Sequence, residues 1–205
     1  GKKQFSDLEL AKKRAANIKH RAINELDKYL IEFEVNFEQN GGKVIWAQNK
    51  KEAVREIYDI VRKSGSNSVV KSKTMMTEEL ELNEFLEKKK IEAIETDLGE
   101  YIVQIAGQKP YHILTPAMHL SRDEIARIYN EKFGTPESAT PQDITAFTRK
   151  MLRERFTKTE VSITGANFLL ADVGGVCITE NEGNALMSVS FPKTHIVVVG
   201  VEKIL

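Results

Sequence analysis

From residue 43 onward, short apolar runs alternate with amphipathic stretches, and this rhythm leaves few folds open. Val44-Ile45-Trp46-Ala47, Ser68-Val69-Val70-Lys71 and Ile91–Glu95 read as strands. Between them, Ala53, Val54, Ile57, Ile60 and Val61 recur at helical spacing. Leu82, Phe85 and Leu86 do the same in a second helix opening near Thr77. A strand, a crossing helix and another strand imply right-handed crossovers and a largely parallel sheet. Punctuation agrees. Asn49 and Glu52 have the N-cap and N3 chemistry of a capping box, as do Ser121 and Glu124. Thr140-Pro141 is an N-cap followed by Pro at the first helical position, opening a helix to about Phe156. Gly65, Gly107 and Gly134 are stops.

Further along, Leu98 to Ala106 reads as a short helix, and His112-Ile113-Leu114 as a short strand ended by Pro116. Val161-Ser162-Ile163 is another strand. Phe168–Asp172 and Val176–Thr179 flank Val173-Gly174-Gly175 as a hairpin. Val189–Phe191 and Ile196–Val201 are expected to complete the sheet. The expected class is α/β, with an open, largely parallel sheet and flanking helices.

Residues 6–38 read as one long helix, with Ile18, Ala22, Leu26, Tyr29, Leu30, Phe33 and Phe37 as its stripe and Gly41-Gly42 as its end. The expected organisation is an N-terminal helical arm over 1–40 and an α/β domain over 41–205. The arm is polarised. Lys2, Lys3, Lys12, Lys13, Arg14, Lys19 and Arg21 precede Glu25, Asp27, Glu32, Glu34 and Glu38. This is either a docking surface for an acidic partner or a solvated helix face.

Thirty basic and thirty acidic residues cancel, so net charge gives no reason to expect nucleic acid or an anionic membrane as partner. No apolar run approaches the roughly 20 residues of a membrane span, and the first residues have no signal-peptide core. A single cysteine, Cys177, excludes an internal disulfide and suits a reducing, cytoplasmic setting. The four histidines show no ligand spacing, so no metal site is expected.

In open α/β sheets, ligands gather beyond the carboxyl ends of strands. Those ends carry Lys71, Ser72, Lys73 and Thr74, then Thr115 and His119, then Thr164, Gly165 and Asn167, then Asn181, Gly183 and Asn184. Two lysines and backbone N–H groups before a helix suit a carboxylate or phosphate. The alternative is ordinary loop polarity with capping. Glu182, on a turn rich in amides, is the candidate nucleophile or base, or else a turn acid in water. His195 opens a strand and is either a ligand contact or a structural hydrogen-bonder.

Five segments in order resemble the LUD domain family, and within it the lactate utilization protein B group. They are Ser68-Val-Val-Lys-Ser-Lys-Thr-Met-Met-Thr-Glu-Glu, Glu95-Thr-Asp-Leu-Gly-Glu-Tyr-Ile-Val-Gln, Ile163-Thr-Gly-Ala-Asn-Phe, Asn181-Glu-Gly-Asn and His195-Ile-Val-Val-Val-Gly-Val-Glu-Lys-Ile. The likeness covers essentially all of residues 10–205. It implies a fold like ribose-5-phosphate isomerase and the CoA transferases. It also implies a part in oxidising L-lactate to pyruvate, with lactate utilization proteins A and C as companions. No cofactor is expected in this chain. The resemblance implies [4Fe-4S] clusters held by cysteine motifs beyond Leu205, and an isolated domain that is inactive by itself. Ala171-Asp-Val-Gly-Gly stands where the family pattern has an acid-Thr-Gly turn. Two other readings stay open: an autonomous acyl-transferase or isomerase using Glu182, and a docking module without a ligand pocket.

Overall fold

A computed structural model describes residues 4–112, 115–180 and 182–205. These residues divide into two compact units. One holds the chain up to Trp46 with Ala166–Thr179 and Val199–Leu205; the other holds Ala47–Gly165 and Glu180–Val198.

In the first unit the expected single helix is two, α1 (Leu8–Asn24) and α2 (Leu26–Gln39). Glu25 separates them because its backbone, at φ −116° and ψ 36°, leaves helical geometry. Ala22 and Phe33 are buried, but Ile18 is exposed and does not belong to the stripe. They pack with Leu169, Ala171 and Ile204. The hairpin is present: β4 (Phe168–Leu170) pairs antiparallel with β5 (Gly175–Cys177). Gly174 turns it at φ +56°, and a Cβ there would lie 2.4 Å from the Asn36 carbonyl carbon and the Phe37 nitrogen. A larger residue would push the hairpin off α2. Asn36 Nδ2 fastens the same contact by donating to Ala171 O at 2.8 Å.

The Val44–Ala47 run is not a strand. Val44 packs into this unit's core and Trp46 Nε1 donates to Glu34 at 2.9 Å, while Ile45 and the Trp46 ring stay exposed, so the run needs no ladder.

The second unit opens with α3 (Lys50–Lys63). Asn49 caps it as expected, accepting from Glu52 N. The return bond from Glu52 goes to Gln48 N, so the box is closed one residue early. There follow β1 (Ser68–Lys71), α4 (Met75–Glu79), α5 (Leu82–Lys88) and β2 (Glu92–Glu95). The one helix expected after Thr74 is thus two short ones, broken where Glu81 takes a left-handed φ of 52°. α6 (Leu98–Ile105), α7 (Arg122–Phe133) and α8 (Pro141–Lys158) come next, the last two with complete capping boxes. Ile113 and Leu114 of the strand expected near Pro116 lie outside the described residues.

β3 (Val161–Thr164), α9 (Asn184–Ser190) and β6 (Thr194–Val197) complete the unit. Two expectations need correction here. Val189 and Ser190 end α9, and Phe191 is its C-cap, so Val189–Phe191 is no strand. Ala185 and Ser188 are buried at helical spacing, and Val189 faces water. The last strand stops at Val197, and Val201–Lys203 is a 3₁₀ turn.

Among the described residues the sheet has strand order β2-β1-β3-β6 and is parallel throughout, which confirms the expected α/β class. Its faces are separately packed. Val69 and Ile163 meet Val54, Ile57, Val61, Leu82 and Leu86 on one side. Val70 and Ile94 meet Tyr101, Leu152 and Phe156 on the other.

Candidate functional site

The strand order creates a switch point. From β1 the chain moves outward to β2, then returns to β3 on the other side of β1. The loops leaving β1 and β3 start from this switch point, the place where open α/β sheets hold their ligands. The β1 exit is Lys71-Ser72-Lys73-Thr74 and the β3 exit is Thr164-Gly165. The two exits touch: a Cβ on Gly165 would lie 2.5 Å from Thr74 Oγ1. Ser72 is buried, and its N–H donates to Ile163 O at 3.0 Å. α4 is only five residues long and Thr74 makes no side-chain cap bond, so the helix-dipole contribution expected at this loop is small.

The two lysines of the β1 exit have different surroundings. Lys71 pairs in register with Glu95 on β2, so both side chains share one face of the sheet. Lys71 Nζ is 2.8 Å from Glu95 Oε1 and donates to Thr77 Oγ1 at 3.2 Å. Asn83 Nδ2 donates to the same carboxylate oxygen at 2.7 Å. Lys71 is therefore committed to internal partners.

Lys73 is partly exposed. Its Nζ lies 3.3 Å from Glu100 Oε1 on α6. Burial raises the Glu100 pKa, the Glu95 carboxylate raises it further, and Lys73 opposes both. Glu100 N donates to Asp97 Oδ1 at 3.1 Å, the cap of α6. Glu182 reaches the same place. Partial desolvation raises its pKa, the adjacent Asp97 charge adds to this, and so does a hydrogen bond with Asp97. Lys73 again opposes the rise. Asp97 and Glu182 thus set two carboxyl groups beside the Lys73 ammonium, and Glu182 is the one that holds its proton more tightly than an ordinary carboxyl.

Thr164 and His195 lie on the opposite face of the sheet from Lys71. Val70, Ser162 and His195 are in register across β1, β3 and β6, whereas Lys71 pairs with Ile163. Thr164 Oγ1 and His195 Nε2 are 2.7 Å apart. Burial pushes the His195 pKa below its ordinary value. Next to them, Ser162 Oγ donates to Ser188 O at 2.6 Å.

The remaining sequence candidates are scattered. Asn167 belongs to the hairpin unit, where its Oδ1 accepts from Thr179 N at 2.7 Å. The Thr115 hydroxyl contacts His112 Nδ1 and Met118 Sδ, each at 3.4 Å. Gly183, at φ +83°, is the N-cap of α9, and Asn184 Oδ1 accepts from Ala185 N. Asn181 lies outside the described residues.

Lys73, Thr74, Gly165 and Glu182 are thus the sequence candidates that meet around the switch point. Asp97, Glu100 and Glu95 were missed. Their signal was available: Glu95 and Asp97 close a predicted strand just as Lys71 and Lys73 close another. Among the described residues no group of three or more His, Cys, Asp or Glu could hold a metal ion. No helix among them is long and apolar enough to cross a membrane.

The profile of the family described as LUD domain matches residues 30–205. An "Uncharacterized electron transport protein YkgF" of Escherichia coli (strain K12) is 44% identical over 93% of this chain and 40% of its own length. A "Lactate utilization protein B" of Bacillus cereus (strain AH820) is 42% identical over 91% of this chain and 39% of its own length. The protein of the same name in Bacillus thuringiensis (strain Al Hakam) matches to the same extent. The chain therefore spans about two fifths of the length of these curated relatives. No solved structure matches it.

Proposed function

The chain belongs to the LUD domain family, and from that premise we propose that it serves as the LUD domain of a lactate utilization protein B-like subunit. The subunit works in a cytoplasmic multi-protein system that oxidises L-lactate to pyruvate, with lactate utilization proteins A and C as companions. Identity of 42–44% across more than nine tenths of the chain to proteins named for lactate utilization and electron transport carries this reading. Iron–sulfur clusters do not fit these residues. A [4Fe-4S] cluster generally takes four thiolates, and the chain has only Cys177. On this reading the clusters are bound elsewhere in the longer protein, and this domain handles a small carboxylate.

The switch point supports that division of labour. Lys73 is its partly exposed cation and is the group to receive a carboxylate. Glu182 beside it, its pKa raised by partial desolvation and by the nearby Asp97, can take or give a proton. Thr74 and Gly165 line the approach.

A gene deletion followed by growth on L-lactate as carbon source tests the function. Growth should fail and return with the intact gene, but not with Lys73→Met. Normal growth of the deletion strain on L-lactate would refute the assignment.

The raised pKa of Glu182, on its turn beside Asp97, supports a second reading, an autonomous isomerase-like or acyl-transfer enzyme. A carboxyl whose pKa is raised suits proton transfer better than nucleophilic attack. Turnover of a carbonyl substrate by this chain alone, abolished in Glu182→Gln, would select it. Failure of lactate, pyruvate and CoA esters to bind would instead leave a docking module.

A further inference from the structure

β2 (Glu92–Glu95) is an edge strand of the sheet. Its inner side is bonded to β1 and the segment leading into it: Glu92 N donates to Asn67 O at 2.9 Å and Thr96 N to Lys71 O at 3.0 Å. Bonding alternates along a parallel ladder, so Ala93 and Glu95 turn their backbone groups the other way, off the edge. Such an edge is a template for a strand from another molecule.

Gln104, on α6, reaches that edge. Its Nε2 donates to Ala93 O at 2.6 Å and its Oε1 accepts from Glu95 N at 3.1 Å. A backbone residue on a fifth parallel strand, opposite Ile94, would make the same two bonds. A side-chain amide has the donor and acceptor of a peptide group, and the orientation here is fixed. Reversed, it would set donor against donor and acceptor against acceptor.

The surface beside this edge makes it worth closing. A cavity of about 260 Å³ adjoins it, lined by Ile94, Tyr101, Ile105 and Met151, with the Arg155–Glu92 pair at 3.2 Å beside them. An added strand would find backbone partners and, next to them, an apolar recess for a side chain.

We propose that Gln104 guards this edge, its amide standing in the place of a fifth strand and keeping β2 closed to a second copy of this chain. The pairing it prevents is β2 against β2 of the second copy, antiparallel about a two-fold axis.

Two variants and two measurements test it. Gln104→Leu removes both bonds and keeps similar bulk. Gln104→Glu keeps an acceptor for Glu95 N but places a carboxylate against Ala93 O. In Gln104→Leu, amide exchange at Glu95 should quicken by about tenfold or more while Thr96, bonded to Lys71 O, stays protected. In Gln104→Glu, Glu95 should remain slow. Sedimentation velocity across two decades of concentration should show Gln104→Leu dimerising at least about tenfold more tightly than the unaltered chain. Unchanged association in Gln104→Leu, with Glu95 exchanging fast, would overturn the guard. If Gln104→Leu does not fold, Gln104→Glu decides: its Ala93 carbonyl is unpaired and repelled, so association no stronger than that of the unaltered chain would count against the proposal.

Discussion

Lys71 Nζ lies 2.8 Å from Glu95 Oε1, and the two side chains are only 3% and 6% exposed. They come from adjacent strands in direct register. A charge placed there without its partner has no water to turn to. Glu95 Oε2 already lacks a hydrogen-bond partner, and so does Asn83 Oδ1 beside it.

Lys71→Met should therefore destabilise the chain by about 3–5 kcal/mol, because it strands a buried carboxylate. Lys71→Met with Glu95→Leu should recover most of that loss, since neither charge remains. Urea unfolding of the three chains measures both effects. A double variant no more stable than Lys71→Met would mean that the pair is not the source of the loss.

His195 gives stability a pH dependence. Burial lowers its folded pKa below the ordinary value of 6.5. The unfolded chain then binds a proton that the folded chain resists. Stability is present in full above about 6.5 and is lost as pH falls through the folded pKa. His195→Gln should flatten that decline relative to the parent while keeping a partner for Thr164 Oγ1. Thermal midpoints taken from pH 8 to pH 5 would show it, and identical slopes in the two chains would contradict it.

Tyr101 acts at the other end of the scale. Burial, with a smaller effect of Tyr129, raises its pKa to about 12. A raised pKa contributes stability that is fully present below the ordinary value of 10 and lost as pH rises through the folded one. Tyr101→Phe removes that titration. Its loss of stability between pH 10 and pH 12 should be smaller than that of the parent chain.

Gly165→Ala tests how tightly the two loops of the switch point meet. The new Cβ would lie 2.5 Å from Thr74 Oγ1 and 2.9 Å from Thr74 Cβ. Overpacking of this kind costs about 1–3 kcal/mol. Thr74→Ala in the same chain should relieve the hydroxyl clash and restore part of the stability. Full additivity of the two substitutions in unfolding experiments would show that the loops are not in contact.

The sheet was legible where strands are runs of β-branched residues between helix signals. Ser68–Lys71 is the case in point, with the same bounds in sequence and structure. Capping chemistry fixed the starts of α7 and α8 for the same local reason. Runs such as Val44–Ala47 and Val189–Phe191 misled because apolarity reports burial or exposure of side chains, not strand pairing. The site was half legible. Lys71 and Lys73 stand out on one loop, but Glu95, Asp97 and Glu100 are distant in sequence and become their neighbours only through the β1–β2 register. The separation of Lys71 from His195 onto opposite faces is likewise a matter of register, which no local pattern carries.

The surroundings of Lys73 decide how the switch point should bind an anion. Glu100, Asp97 and Glu182 all oppose a second negative charge there. Glu182 keeps its proton to a higher pH than an ordinary carboxyl, first because it is partly desolvated and then because Asp97 is adjacent. As pH falls through that raised pKa the carboxyl becomes neutral, and repulsion of a ligand carboxylate at Lys73 weakens. Pyruvate or L-lactate, titrated by calorimetry, should therefore bind more tightly as pH is lowered from 7 toward the Glu182 pKa. Glu182→Gln mimics the neutral form and should flatten this dependence while leaving binding intact. Lys73→Met removes a charge-assisted contact worth about 1.5–3 kcal/mol, a loss of about ten- to a hundredfold in affinity. Affinity that rises with pH, or that is indifferent to Lys73→Met, would move the carboxylate site away from the switch point.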